Sequence, residues 1–260
     1  MGFLICGPVG TGKSFLVTCF AADIGMPVVA MKNLRSMWQG QTEANLERVL
    51  GILDAIGPVA VMIDEADAAL GSRDVGGHDS GVSERVFAQL AAFMGDTRRR
   101  GRVVWFLMTS RPDLVPVDLK RQGRAEEHVA LFPPATPAER ARVFESIRSR
   151  LKVPLEAGID AAALFAEASY DLSAADIEAI LVRAGRRAAV QGLRGISGAL
   201  LRELVRDFQP PSYPLEIEHQ RLLAASECTS RALLPPDLGG VPSEEIARRL
   251  SSVRAQLGIR

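Results

Sequence analysis

The sequence carries no excess of charge of either sign. Its 31 Lys+Arg balance 31 Asp+Glu, a formal net charge of zero, which argues against a nucleic-acid binder driven by bulk charge. Cysteine is scarce. Cys6, Cys19 and Cys228 show neither paired nor metal-ligand spacing, and they suit a reducing, cytoplasmic setting. No apolar run reaches the length of a membrane span. No basic region precedes Phe3-Leu4-Ile5, so a signal peptide is not expected. The chain opens Met1-Gly2, but position 6 is Cys where the myristoylation pattern requires Ser or Thr. There is no internal repeat and no long low-complexity segment. Apolar residues, by contrast, make up 47% of 260 residues, enough to build one large domain or two modest ones.

Gly7-Pro8-Val9-Gly10-Thr11-Gly12-Lys13-Ser14 reads GxxxxGKS. It follows a short apolar run, Phe3 to Cys6, and precedes an apolar stretch suited to a packed helix, Ser14 to Ala22. A strand-loop-helix setting is what a phosphate-binding loop requires. Gly10 and Gly12 let the backbone curl so that successive N–H groups of the loop point inward at phosphate oxygens. The helix N-terminus adds unpaired donors and its dipole. Lys13 places a point charge on the β- and γ-phosphates of a nucleotide, and the Ser14 hydroxyl can ligate Mg²⁺. About fifty residues downstream, Val61-Met62-Ile63 ends in Asp64-Glu65. Asp64 can hold the Mg²⁺ shell, and Glu65 can polarise an attacking water.

Further along, strand-like runs alternate with helical periodicity. Val28 to Met31 reads as a second strand. From Glu43, Leu46, Val49, Leu50 and Leu53 share a helix face. Val59 to Ile63 and Val103 to Met108 are continuous apolar runs, as in strands buried on both faces of a parallel sheet. A Gly-, Asp- and Ser-rich loop is expected over 71–83, a helix over 84–94, and a fifth strand over Val129 to Phe132. Arg98 to Arg102 reads as a solvated basic loop, with a nucleic-acid or acidic-partner contact as the other possibility. Strands alternating with helices mean an α/β sheet wound by right-handed crossovers. From Pro133-Pro134 to Phe208 only helices are expected, at 137–151, 161–168, from a capping box at Ser173-Ala174-Ala175-Asp176, and at 197–208. After the break Pro210-Pro211-Ser212-Tyr213-Pro214, a tail carries one helix over 215–234 and another over 243–257.

In these motifs the sequence resembles the AAA ATPases, in the group that contains the meiotic, proteasomal, spastin-like and segregase members. The resemblance covers about residues 2–212. Asp64-Glu65-Ala66-Asp67 matches the family's Walker B. Thr109-Ser110-Arg111-Pro112-Asp113 matches its Thr-Asn-Arg-Pro-Asp segment, and Arg121-Gln122-Gly123-Arg124 its Arg-Pro-Gly-Arg. Leu172 to Ile177 is similar to the Ser-Gly-Ala-Asp that opens a lid helix near the nucleotide. The resemblance implies that Arg121 and Arg124 are arginine fingers reaching a γ-phosphate held by the next subunit. Solvated arginines after a turn are the other possibility. Ser110 falls at the sensor-1 position, where the family has Asn. Ser can still orient a water, but with shorter reach. Ala174 and Ala175 would lie by the nucleotide, while Asp176 reads as a helix cap. Met37-Trp38-Gln39-Gly40 aligns with the pore loop, so Trp38 would grip an extended polypeptide. A buried core Trp38 is the alternative. His78 reads as an exposed loop residue.

The resulting expectation is a P-loop NTPase α/β core (1–133), a small all-α lid (134–210) and a helical C-terminal extension (211–260). The implied activity is Mg²⁺-dependent ATP hydrolysis by a homo-oligomer, a ring hexamer, that remodels, unfolds or disassembles a protein substrate. A nucleotide-switched scaffold that hydrolyses slowly is the alternative, motivated by Ser110 and by a chain that starts almost inside its first strand, from which we expect an upstream segment. A nucleic-acid motor is disfavoured by the neutral charge. ATP and Mg²⁺ are the expected cofactors, with Pro8, Val9, Gly10, Thr11, Gly12, Lys13, Ser14, Asp64, Ala174 and Ala175 binding the nucleotide. Ser14 and Asp64 would bind the metal, and Glu65, Ser110, Arg121 and Arg124 would be catalytic.

Overall fold

The structure is a computed structural model that describes residues 1–31, 42–70, 80–168 and 170–259. The chain forms two units, one of residues 1–9, 13–131 and 215–260, the other of residues 10–12 and 132–214.

In the first unit five strands, β1 (Gly2–Cys6), β2 (Val28–Ala30), β3 (Val59–Ile63), β4 (Val103–Thr109) and β5 (Ala125–Ala130), pair in parallel in the order β2-β3-β4-β1-β5. Helices α1 (Lys13–Asp23), α2 (Thr42–Ile56), α3 (Ala66–Leu70), α4 (Ser80–Gly95) and α5 (Val117–Lys120) connect them. The continuous apolar run of β4 has a direct physical reason. Val103, Trp105 and Leu107 point to one face, against Leu46, Leu50 and Leu53 of α2 and Leu90 and Met94 of α4. Val104, Phe106 and Met108 point to the other, against Val17 and Ala21 of α1. A strand covered on both faces has no polar side to alternate with. Trp105 is buried and meets Phe93 edge-on at 6.1 Å between ring centroids.

The expected fifth strand is corrected. It runs over Ala125–Ala130 rather than 129–132, so Glu126, Glu127 and His128 lie inside a strand. This is an edge position in the sheet, where alternate side chains can face away from the core, and His128 is buried through polar contacts that the sequence did not suggest. The helix expected from Glu84 begins earlier, at Ser80, and α3 follows directly on Asp64-Glu65. The basic segment makes several contacts within the chain, with Arg99 Nε buried and unpaired. Arg98 and Arg99 both pair with Asp96, Arg99 lies 4.2 Å over the Phe93 ring, and Arg102 donates to the Asp54 carbonyl at 3.0 Å. Trp38, Gly40 and His78 lie outside the described residues.

The tail belongs to the first unit. Its leading helix, α10 (Pro214–Glu227), stops well short of the expected Leu234. The chain turns there because Thr229 pairs with the edge strand, its N–H donating to the His128 carbonyl at 3.1 Å and its hydroxyl accepting from the His128 N–H at 3.0 Å. A short α11 (Pro236–Gly239) and a longer α12 (Ser243–Leu257) follow. Arg254 of α12 reaches Asp113 at 3.1 Å, where Arg111 also binds at 3.0 Å, and buried His219 of α10 lies 3.4 Å from Arg254 Nε.

The second unit packs α6 (Pro137–Leu151), α7 (Ala161–Ala166), α8 (Ala174–Val190) and α9 (Gly198–Asp207) around Phe144, Phe165, Leu172, Ile177, Leu181 and Leu201. Two capping boxes start its helices: Thr136 with Glu139, and Ser173 with Asp176. Each satisfies two otherwise unpaired backbone donors. Phe144 is fully buried and meets Phe165 at 5.5 Å. Phe144→Ala is expected to lower the unfolding free energy of this unit by about 3–5 kcal/mol, read from urea unfolding followed by circular dichroism. A change under about 1 kcal/mol would mean that the ring is not packed as described.

Candidate active site

The site begins where β1 ends. β1 lies between β4 and β5, at the point where the order of strands reverses, which is where open α/β sheets bind ligands beyond their strand ends. Gly7 starts the turn with φ 150°, and a Cβ there would come within 2.1 Å of the Leu131 carbonyl oxygen. No other residue fits that approach. Gly10 and Gly12 follow at φ 79° and 87°, the left-handed region that glycine enters without penalty. The buried Pro8 and exposed Val9, with the half-exposed Thr11 and Gly12, complete the loop.

Lys13 opens α1, and its ammonium donates to the Gly7 and Pro8 carbonyls at 2.8 and 2.9 Å. Burial lowers its pKa, against the raising influence of Asp64, Cys6 and Asp67. The ammonium therefore folds back on the loop that it would serve. Ser14 Oγ donates to Asp64 Oδ2 at 2.7 Å. β3 is not adjacent to β1, since β4 lies between them. The two residues meet because Ser14 stands in the first turn of α1 and Asp64 immediately beyond the end of β3. A hydroxyl and a carboxylate brought together by different elements form a hard-oxygen pair suited to Mg²⁺.

Glu65 is exposed and sits at φ 50°. A non-glycine residue in the left-handed region carries strain of about 1 kcal/mol or more, and such residues cluster at functional sites. Its N–H donates to Asp64 Oδ1 at 3.0 Å, which ties the two acids into one turn. Ser110 is half-exposed just past β4. Beside it, Thr109 Oγ1 donates to Asp67 Oδ1 at 2.6 Å and accepts from the Arg111 N–H at 2.8 Å. This Thr109–Asp67 bond joins the end of β4 to the first turn of α3, the helix that follows β3. Sequence reasoning matched both residues to motifs without assigning the bond, and their positions at and just beyond the ends of two apolar strands were the available signal.

Arg121 and Arg124 lie together on the turn from α5 to β5, away from the Ser14–Asp64 pair in their contacts. Arg121 is 57% exposed and pairs with Asp118 at 3.5 Å. The Arg124 side chain is only 14% exposed, and its Nη1 donates to the Asp118 carbonyl at 2.6 Å. Burial, and then the neighbouring Arg121 charge, lower the Arg124 pKa. The turn faces a cleft of about 280 Å³ lined by Ala91, Gly95 and the turn itself.

Ala174 and Ala175 open α8 in the second unit. The Ala175 N–H donates to the Gly10 carbonyl at 3.1 Å, and Gly10 clusters with that unit. Asp176 caps the helix, accepting from Ser173 N at 2.9 Å. A contact with no sequence signal comes from the tail: the Val9 N–H donates to Gln220 Oε1 of α10 at 3.0 Å.

Residues 3–132 match the family described as ATPase family associated with various cellular activities (AAA). Among curated relatives, a Protein SAV of Sulfolobus acidocaldarius is 30% identical over 219 residues, 83% of this chain and 26% of that protein. A Cell division cycle protein 48 homolog of Archaeoglobus fulgidus is 34% identical over 186 residues, 71% of this chain and 25% of that protein. A Peroxisomal ATPase PEX6 of Mus musculus is 30% identical over 201 residues, 76% of this chain and 20% of that protein. The chain thus spans about a quarter or less of the length of these relatives. Among the described residues no helix is long and apolar enough to cross a membrane. With a glycine loop, a lysine and a Ser14–Asp64 pair at the switch point of a parallel sheet, the chain belongs to the AAA family of ATPases.

Proposed function

We propose that this chain hydrolyses MgATP and, as part of a ring oligomer, couples that hydrolysis to remodelling of a protein substrate. The observation that carries the reading is the 2.7 Å bond between Ser14 Oγ and Asp64 Oδ2 beside a loop of positive-φ glycines. Those oxygens suit Mg²⁺, which when bound would neutralise phosphate charge. Lys13 would exchange its Gly7 and Pro8 carbonyls for phosphate oxygens, and so needs no charge brought in from elsewhere. Glu65, exposed next to Asp64, would orient the attacking water. Ser110 would hold that water from the neighbouring strand end.

Arg121 and Arg124 belong to the same reading as fingers for the neighbouring subunit. Their contacts run to Asp118 and not to the Lys13–Ser14–Asp64 group, which suits a role in trans. A hexamer, and Trp38 as its substrate-gripping residue, remain part of the proposal on the strength of the sequence resemblance. The second reading is a slow nucleotide switch, favoured by Ser110 and by a Lys13 already satisfied within its loop.

Steady-state ATP turnover measured across chain concentration separates the two. Hydrolysis through a shared site gives specific activity that rises with concentration as the chains assemble. Low activity independent of concentration would favour the switch. Glu65→Gln is expected to hold ATP without turning it over and so to retain bound protein substrate. Retention equal with and without ATP would count against remodelling.

A further inference from the structure

The turn Arg121–Arg124 is anchored at both flanks by one carboxylate, 107 residues beyond Lys120 in the chain. Glu227 is the last residue of α10. Its Oε1 accepts from Lys120 Nζ at 2.5 Å, and Lys120 is the residue immediately before Arg121. Its Oε2 lies 3.2 Å from His128 Nδ1, and His128 stands on β5, which starts immediately after Arg124. Lys120 Nζ also donates to the Pro112 carbonyl at 3.0 Å. The Lys120 and His128 side chains are each 11% exposed.

The partners of His128 define its protonation. Nδ1 lies 3.0 Å from the Glu227 carbonyl oxygen and 3.2 Å from the Glu227 carboxylate. Nε2 lies 3.1 Å from the Lys120 carbonyl oxygen and 3.0 Å from that of Ala125. All four are acceptors. A neutral imidazole has one N–H and one lone pair, and either tautomer would aim its lone pair at oxygen. Only the imidazolium satisfies every contact. Burial pulls the His128 pKa down, but its bonds to Glu227 and to the Lys120 carbonyl outweigh that and leave it raised above 6.5. Burial pushes Glu227 up, and His128 and Lys120 bring it below 4.5.

We propose that Glu227 is a positioning residue for ATP turnover, holding the Arg121–Arg124 turn in place through its ionised contacts with Lys120 on one side and His128 on the other. The proposal rests on the reading of Arg121 and Arg124 as fingers. It gives the tail a function: α10 sets the geometry of the charge offered to a neighbour. It also makes that geometry pH-dependent. The groups around His128 are Lys120 from α5 and Glu227 from α10, with Glu127 beside it on β5, 3.4 Å from Thr229 Oγ1; Cys6 of β1 lies within electrostatic reach of Glu227 and Lys120. Burial pushes the Cys6 thiol up to about 12, so it stays neutral through the relevant range. His128, raised, contributes its stabilisation fully below 6.5 and loses it as pH rises through its folded pKa. Glu227, lowered, contributes above 4.5 and loses it as pH falls through its own. The clamp is whole between the two.

The test compares Glu227→Gln, His128→Gln and an Arg121→Ala/Arg124→Ala double variant in the full chain. Glu227→Gln is expected to keep the wild-type affinity for MgATP and to lose about 10- to 100-fold in turnover, the scale of a displaced catalytic group. Mixing it with Glu65→Gln chains restores activity, because the defects fall on opposite sides of a shared site. Mixing it with the double finger variant does not. Wild-type turnover declines as pH rises through the His128 pKa, and His128→Gln, slower at every pH, lacks that limb. Wild-type turnover in Glu227→Gln, with the double variant inactive, overturns the proposal while sparing the finger reading. Wild-type turnover in the double variant overturns the finger reading itself. Should Glu227→Gln fail to fold, nitrogen-15 spectra of wild-type His128 decide: two protonated ring nitrogens at pH 6, below the ordinary histidine value, support the clamp, and a neutral tautomer there overturns it.

Discussion

Replacing Arg121 by Ala lowers ATP turnover by about 10³-fold or more, the scale of a lost arginine finger, with MgATP affinity at its wild-type value. The geometry gives Arg121 little to do in its own chain. It is 57% exposed, and its ion pair is with a 70% exposed Asp118 at 3.5 Å. Such a surface pair contributes about 1 kcal/mol at most, so the guanidinium can leave Asp118 for a phosphate at little cost. Arg124 differs. It is mostly buried and bonded to the Asp118 carbonyl, so Arg124→Ala disturbs the turn as well as any charge it supplies. Arg121→Ala is therefore the cleaner probe. A chain lacking Arg121 keeps its own Ser14, Asp64 and Glu65, while a Glu65→Gln chain keeps its Arg121. Mixtures of the two are expected to recover part of the lost activity. Confirmed mixed oligomers with no recovery at any ratio would refute the shared site.

Lys13→Ala weakens MgATP binding by about 10- to 10²-fold in affinity. The phosphates lose the loop's lysine, and a hydrogen bond to a charged group is worth about 1.5–3 kcal/mol, where each 1.4 kcal/mol is about tenfold. Isothermal calorimetry reads this directly, and wild-type affinity in the variant would remove the basis for the phosphate loop. The native contacts add a second consequence. Lys13 satisfies the Gly7 and Pro8 carbonyls, so its loss also loosens the loop. Burial lowers the Lys13 pKa, so wild-type affinity for MgATP falls as pH rises through a value below that of an ordinary lysine. Lys13→Arg, whose charge does not titrate in this range, should lack that fall.

The parts of this protein legible in its sequence are those with local causes. Gly7 to Ser14 could be read because the loop's shape is written residue by residue: glycine stands where φ is positive, and lysine and serine follow at the start of the helix. β3 and β4 could be read because burial on both faces leaves an unbroken apolar run. The start of α8 could be read because Ser173 and Asp176 satisfy donors within one turn. β5 was displaced by four residues for the opposite reason. Glu126, Glu127 and His128 look unlike a strand until Thr229 and Glu227, about a hundred residues later, supply the partners that let a histidine be buried there. The end of α10 was misplaced for the same reason, since what stops it is the edge strand and no glycine or proline of its own.

By itself, then, the sequence determined the phosphate loop, the two acids at the end of a buried strand and the order of α/β core and helical segments, because each is a pattern over neighbouring residues. Only the tertiary structure decided that Ser14 meets Asp64 across an intervening strand, that Arg121 is open to solvent while Arg124 is tucked in, and that the tail reaches back to Val9, Asp113, Lys120 and His128. Those are contacts between residues far apart in the chain, and only packing of the sheet and its helices brings such residues within bonding distance.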